Sequence, residues 1–94
     1  MQLDSAVDLF LSHLGVERAL SRHTLAAYAR DLAKLVSFAE ARGIERAADL
    51  DITTLSAWLG SLARAGLSPR STARHLSSVR GLMRFLAREG VIEA

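Results

Sequence analysis

Apolar residues recur along this chain with the period of an α-helix, and the two-residue alternation of a strand is nearly absent. Leu3, Val7, Phe10 and Leu14 define a first helix. Asp4 or Ser5 can cap it, and Gly15 is expected to stop it. Ser21 opens a second helix, with Leu25, Tyr28, Leu32, Leu35, Val36 and Ala39 inward and Gly43 at its end. The stretch IERAADLD is expected to be a loop. A third helix starts between Asp51 and Thr53, turns Leu55, Trp58, Leu59 and Leu62 inward, and ends at Gly66. The fourth has Ser68 as its cap and Pro69 in the first helical position, where a missing N–H costs nothing. Thr72, Leu76, Val79, Met83 and Leu86 form its expected core stripe, and Gly90 ends it. The closing VIEA is expected to be a tail without a partner. Short links join helices 1 to 2 and 3 to 4. The fold class expected is therefore all-α, a four-to-five-helix bundle of two packed αα-hairpins.

Length and composition narrow this only a little. The 94 residues, half of them apolar, suit one domain with a modest core. Without cysteine there is neither a disulfide scaffold nor a cysteine metal site, so a reducing, cytoplasmic setting is expected. No apolar run approaches a membrane span, and MQLDSAVDLF is acidic where a secretory signal would be basic. No membrane partner is expected.

Charge changes the picture more. The net charge is +2, but from Ile52 to Arg88 the chain carries six arginines and no acid. On a helical wheel Arg70, Arg74, Arg80, Arg84 and Arg88 share a sector roughly 120° wide, with Ser77 and Gly81 inside it and His75 at its flank. Helix N-termini normally attract acids, and helices 1 and 3 have Asp4, Asp8 and Asp51 nearby. Helices 2 and 4 instead begin SRHT and SPRST, with Arg22 and Arg70 set against the dipole at about 0.3–1 kcal/mol each. Free N–H groups, hydroxyls and arginines at a helix start suit a phosphate. On helix 2, His23, Ala27, Arg30 and Lys34 continue one outward stripe. Each feature has a plainer account: serine is a common cap, coding bias enriches arginine, and acids elsewhere in the fold can neutralise a basic helix. The missing acids and the matched first turns together favour a polyanionic partner.

Catalysis has little support. His13, His23 and His75 lack metal-ligand spacing, Asp8 and His13 suggest no triad, and there is no glycine-rich phosphate loop. Trp58 and Tyr28 lie on apolar stripes and read as core. No cofactor, metal or small-molecule ligand is expected, and the chain by itself is not expected to be an enzyme.

Several motifs in order carry a resemblance. They are Ser21-x-x-Thr24-x-x-x-Tyr28-x-x-Asp31-Leu32, the Gly66-Leu67-Ser68 turn and Ser71-Thr72-Ala73-Arg74. Leu76-Ser77-x-Val79-Arg80 and Arg88-Glu89-Gly90-Val91-Ile92 complete the set. With these the chain resembles the N-terminal core-binding, SAM-like domain of Xer-type tyrosine recombinases and phage integrases over nearly its whole length. The resemblance implies that residues 1–94 are the core-binding domain. The catalytic domain, with its nucleophilic tyrosine, would follow Ala94, and Tyr28 would not be that nucleophile. It also implies a double-stranded recombination half-site gripped by helices 2 and 4, neighbouring protomers in a DNA-bound tetramer, and work in the cytoplasm at the nucleoid. Carried over by position, the DNA-binding set is Arg22, His23, Thr24, Arg30, Arg70, Ser71, Arg74, His75 and Ser78. Arg80 also matches, nearer the core flank. Two positions depart from the family pattern: Arg22 stands where an acid is common, and Gly81 stands where a second arginine often follows Arg80.

A second reading is a helical protein-interaction module, with Leu9 and Leu11 of helix 1 available to a neighbour.

Overall fold

The computed structural model describes residues 1–93, and its elements run α1 (Leu3–Val16), α2 (Arg22–Ala41), a 3-10 turn (Ala47–Asp49), α3 (Ile52–Arg64) and α4 (Pro69–Arg88). The all-α expectation holds. The two hairpins, α1–α2 and α3–α4, pack so that α4 touches each of the other three helices. No helix among the described residues is long and apolar enough to cross a membrane.

Three helix ends follow one device. Gly43, Gly66 and Gly90 adopt φ of +79°, +84° and +74°, a left-handed turn that glycine enters without a Cβ penalty. The apolar residue after each folds back. Ile44 N–H donates to the Ala39 carbonyl at 2.9 Å, Leu67 to Leu62 at 3.2 Å, and Val91 to Leu86 at 2.9 Å. The C-terminal stretch is thus no free tail through its first residues: Val91 and Ile92 are half-buried against the core. Ala94, the last residue of that expected tail, lies outside the described residues.

α1 departs from expectation at both ends. It begins at Leu3, before Asp4, because the first residues pair with a distant loop: Leu3 N–H donates to the Glu45 carbonyl at 2.8 Å and Ala47 N–H to that of Met1 at 3.0 Å. It also runs through Gly15, and the turn into α2 falls on Ala19, at φ +49°. Ala19 is not glycine, so this conformation costs about 1–2 kcal/mol.

The core stripe of α4 is rotated from the expected one. Val79 and Leu86 are buried as expected, but they are joined by His75, Ser78, Leu82 and Phe85; Thr72, Leu76 and Met83 are only half-buried. The same shift affects α3, where Thr54, Trp58 and Leu62 are buried and Leu55 and Leu59 half-exposed. Because α4 is central, its buried arc must face α1, α2 and α3 together, and the arginine sector yields one flank to that arc.

Candidate nucleic-acid interface

Local chemistry fixes the starts of α2 and α4. Ser21 Oγ accepts the Thr24 N–H at 3.2 Å, and Ser68 Oγ accepts the Ser71 N–H at 3.2 Å. Neither first turn contains an acid. The hydroxyls are mostly engaged with their own helix; Ser21 also donates to the Thr24 hydroxyl at 3.0 Å. α3 offers the contrast, with the Asp51 carboxylate accepting the Thr54 N–H at 2.8 Å. Hydrogen bonding with the Thr54 side chain, and then this backbone bond, lowers the Asp51 pKa from its ordinary value.

The candidate residues fall into three groups. Arg22, His23, Thr24, Arg30 and Arg70 are exposed, and Ser71 is half-buried behind its cap. Arg74 lies at the seam between α4 and α2, its side chain 41% exposed. His75 and Ser78, expected to face DNA, have no exposed surface and cannot touch a ligand directly in this conformation. Ser78 Oγ–H donates to the His75 carbonyl at 2.9 Å, and His75 Nδ1 lies 2.6 Å from the Ser71 carbonyl. Carry-over by position does not register that the buried arc of α4 is rotated onto His75 and Ser78, which face α2 and the core.

The buried centre of this seam is Asp31. It sits on the inward stripe of α2, between Tyr28 and Leu35, and is fully enclosed. Its Oδ2 accepts Arg74 Nε–H at 2.8 Å and its Oδ1 accepts Arg74 Nη2–H at 2.9 Å. His75 Nε2 lies 3.2 Å from Oδ1. The hydrogen bond to Asp31 raises the Arg74 pKa, so this guanidinium stays charged. A carboxylate spaced as though it were a core residue was the available signal for a buried ion pair.

Acids elsewhere in the fold therefore do neutralise α4, among the described residues only at this seam. Among the described residues Arg74 and His75 are the basic side chains paired with a carboxylate; Arg22, Arg30, Arg70, Arg80, Arg84 and Arg88 have none. The last three line a groove of about 390 Å³ beside α1, which Arg18 joins from the α1–α2 turn. Arg18 follows no helical stripe, and its approach comes from the turn at Ala19. Gly81 contributes differently: a Cβ there would meet Phe10 Cζ at 3.0 Å, so this glycine admits the Phe10 ring at the wall of the same groove. Among the described residues no cluster of His, Cys, Asp or Glu could hold a metal.

The geometry defines a small helical module whose α4 carries no acid and whose groove beside α1 is lined by four arginines and no carboxylate. Residues 7–90 match the family described as the phage integrase, N-terminal SAM-like domain, and the chain belongs to that family. It is 47% identical over 88 residues to a tyrosine recombinase XerC of Xanthomonas campestris, covering 94% of this chain and 27% of that protein. It is 44% identical over 89 residues to a tyrosine recombinase XerC of Pseudomonas fluorescens, covering 95% of this chain and 30% of that one. The chain thus spans less than a third of these relatives, and the catalytic domain of tyrosine recombinases is not included in it. In fold it is similar to the N-terminal domain of a phage integrase/site-specific recombinase from Haloarcula marismortui, with a TM-score of 0.90 at 19% identity, over 99% of this chain and 88% of that one.

Proposed function

We propose that this domain is the non-catalytic arm of a tyrosine recombinase, gripping a double-stranded half-site through α2 and α4 while a catalytic domain beyond Ala94 cuts and rejoins the strands. It works in the cytoplasm at the nucleoid, and neighbouring protomers meet in a DNA-bound tetramer. The observation that carries the reading is the set of six α2 and α4 arginines without a carboxylate partner among the described residues. Arg22, His23, Thr24, Arg30, Arg70 and Ser71 anchor phosphates from the two first turns, and Arg74 reaches in from the seam. His75 and Ser78 support from behind.

Titration of the chain with a duplex at low salt tests this. Affinity falls with salt by about 0.9 log units per log unit for each phosphate neutralised. Replacing Arg70 and Arg74 with Ala lowers both affinity and slope. If neither changes, the assignment to α4 is wrong.

A second reading, as a protein-interaction surface, gains from one observation. Leu55, Leu59, Leu76 and Met83 line an open apolar groove between α3 and α4, bordered by Ile52 at 77% exposure. This is a different place from Leu9 on α1, which is 43% exposed. Light scattering separates the readings: self-association without DNA favours the groove, and a monomer that assembles only on DNA favours the recombinase arm.

A further inference from the structure

We infer that Asp31 and His75, neither of which reaches solvent, are positioning residues that hold Arg74 in the orientation in which it meets a DNA phosphate. The inference rests on the DNA-binding reading above and adds the residues that make one of its contacts geometrically defined.

The argument begins with donor counting. A guanidinium is planar and carries five N–H groups. Asp31 takes Nε–H and one Nη2–H along a single edge, at 2.8 and 2.9 Å. Planarity sends the remaining three away from the carboxylate. The side chain is partly open to solvent, so those donors lie where a phosphate can approach. Arg74 can therefore bind a carboxylate inward and an anion outward without changing rotamer.

His75 closes the inner side. A carbonyl only accepts, so the 2.6 Å contact between His75 Nδ1 and the Ser71 oxygen places a proton on Nδ1. The ring is then oriented with Nε2 facing Asp31 Oδ1 at 3.2 Å and Lys34 Nζ at 3.4 Å. A second proton on Nε2 is donated to Asp31; without it, Nε2 accepts from Lys34. In both states the imidazole fills the space between α2 and α4, against the Trp58 indole at 5.7 Å between centroids. No buried side-chain nitrogen or oxygen among the described residues lacks a partner. Asp31 is thus enclosed between the Arg74 fork and the His75 ring, and that enclosure fixes the edge it offers to Arg74. A long side chain fixed beforehand loses less freedom on binding.

The sign of one substitution separates positioning from plain charge. A carboxylate beside a phosphate site repels DNA. If Asp31 acted only through its charge, Asp31→Asn would tighten binding. Positioning requires the opposite.

The test is a double-mutant cycle on affinity for a short fluorescent duplex of random sequence at low salt, since phosphate contacts are sequence-independent. Far-UV circular dichroism and emission from Trp58, the one tryptophan, confirm the fold of each variant. Asp31→Asn is expected to weaken binding about three- to tenfold and to lower the salt slope toward that of Arg74→Ala. Combined with Arg74→Ala it is expected to add nothing further. Binding that tightens or stays unchanged in Asp31→Asn overturns the inference, as does an equal loss in the Arg74→Ala background. Arg74→Lys covers the case in which Asp31→Asn does not fold. It keeps the charge at a half-exposed position and loses the fork, and it is expected to bind nearly as weakly as Arg74→Ala. Wild-type affinity in Arg74→Lys overturns the inference. If Arg74→Ala itself binds like wild type, the reading of Arg74 as a DNA contact fails, and the inference falls with it.

Discussion

α4 meets α1 and α2 along two seams of opposite chemistry. Against α1 the contact is apolar and close: Gly81 has no side chain, the Phe10 ring occupies the space, and Phe10 stacks at a tilt on Phe85 with centroids 5.6 Å apart. Against α2 the contact is a buried carboxylate with a guanidinium and an imidazole. Apolar burial and close packing stabilise the fold directly. A buried ion pair contributes little net stability, because desolvation offsets the attraction. One helix thus carries a seam that sets stability and a seam that sets where charge is placed. The two can be broken separately.

The largest effect is expected at Phe10. Its side chain is buried between α1 and α4, and Phe10→Ala should cost about 3–5 kcal/mol. For a domain of this size each kcal/mol moves the midpoint by about 4–8 °C, so thermal unfolding reads it readily. The salt slope of DNA binding by the folded fraction should not move. A changed slope would mean that the seams are not separable. Gly81→Arg comes next. By charge alone it would help a basic helix, and by helix propensity it gains about 1 kcal/mol. Its Cβ, however, would press on Phe10, whose ring is itself held by Phe85, and overpacking costs about 1–3 kcal/mol. The expected net result is a lower midpoint; one at or above wild type would show that the ring yields freely.

On the charged side the same measurements should move in opposite directions. Arg70→Ala removes a cation from a helix N-terminus, which relieves about 0.3–1 kcal/mol of dipole repulsion. It also removes a phosphate anchor, lowering the salt slope by about 0.9. A slightly higher midpoint with weaker DNA binding is the expected pair. Loss of both together would mean that Arg70 supports the fold.

Much of this was legible before the fold, because it is local. The three glycine ends, the Ser21 and Ser68 caps and the acid-free face of α4 depend on residues within a turn of one another. What was missed is non-local. The early start of α1 depends on a loop more than forty positions away, around Glu45 to Ala47. The role of Gly81 depends on Phe10, and the burial of His75 depends on Asp31, both on other helices. Periodicity locates an apolar face, but it does not show that a buried arc contains a histidine when the partner carboxylate stands on another element. Asp31 itself, placed at core spacing, was the readable clue.

The smallest expected effect concerns a third kind of charge placement, at the start of α3. Here an acid stands at the cap position, where α2 and α4 have serine, and its role is local: Asp51 is exposed and accepts the Thr54 N–H. Its pKa is lowered chiefly by hydrogen bonding to the Thr54 side chain and then to the Thr54 backbone N–H, with a small further lowering by Arg42. A carboxylate whose folded pKa lies below its unfolded one adds stability in full above the unfolded value and loses it as pH falls through the folded one. Asn caps about as well as Asp but does not titrate, so Asp51→Asn is the proper reference. The wild-type midpoint should exceed that of Asp51→Asn at about pH 6, and the gap should close as pH drops below the ordinary aspartate range near 4. A constant gap would assign the difference to cap geometry. A gap that widens with acid would mean that the Asp51 pKa is raised on folding, against the observed hydrogen bonds. DNA binding should be indifferent to this substitution, because the site lies on α3, away from the first turns of α2 and α4 that the arginines leave open to phosphate.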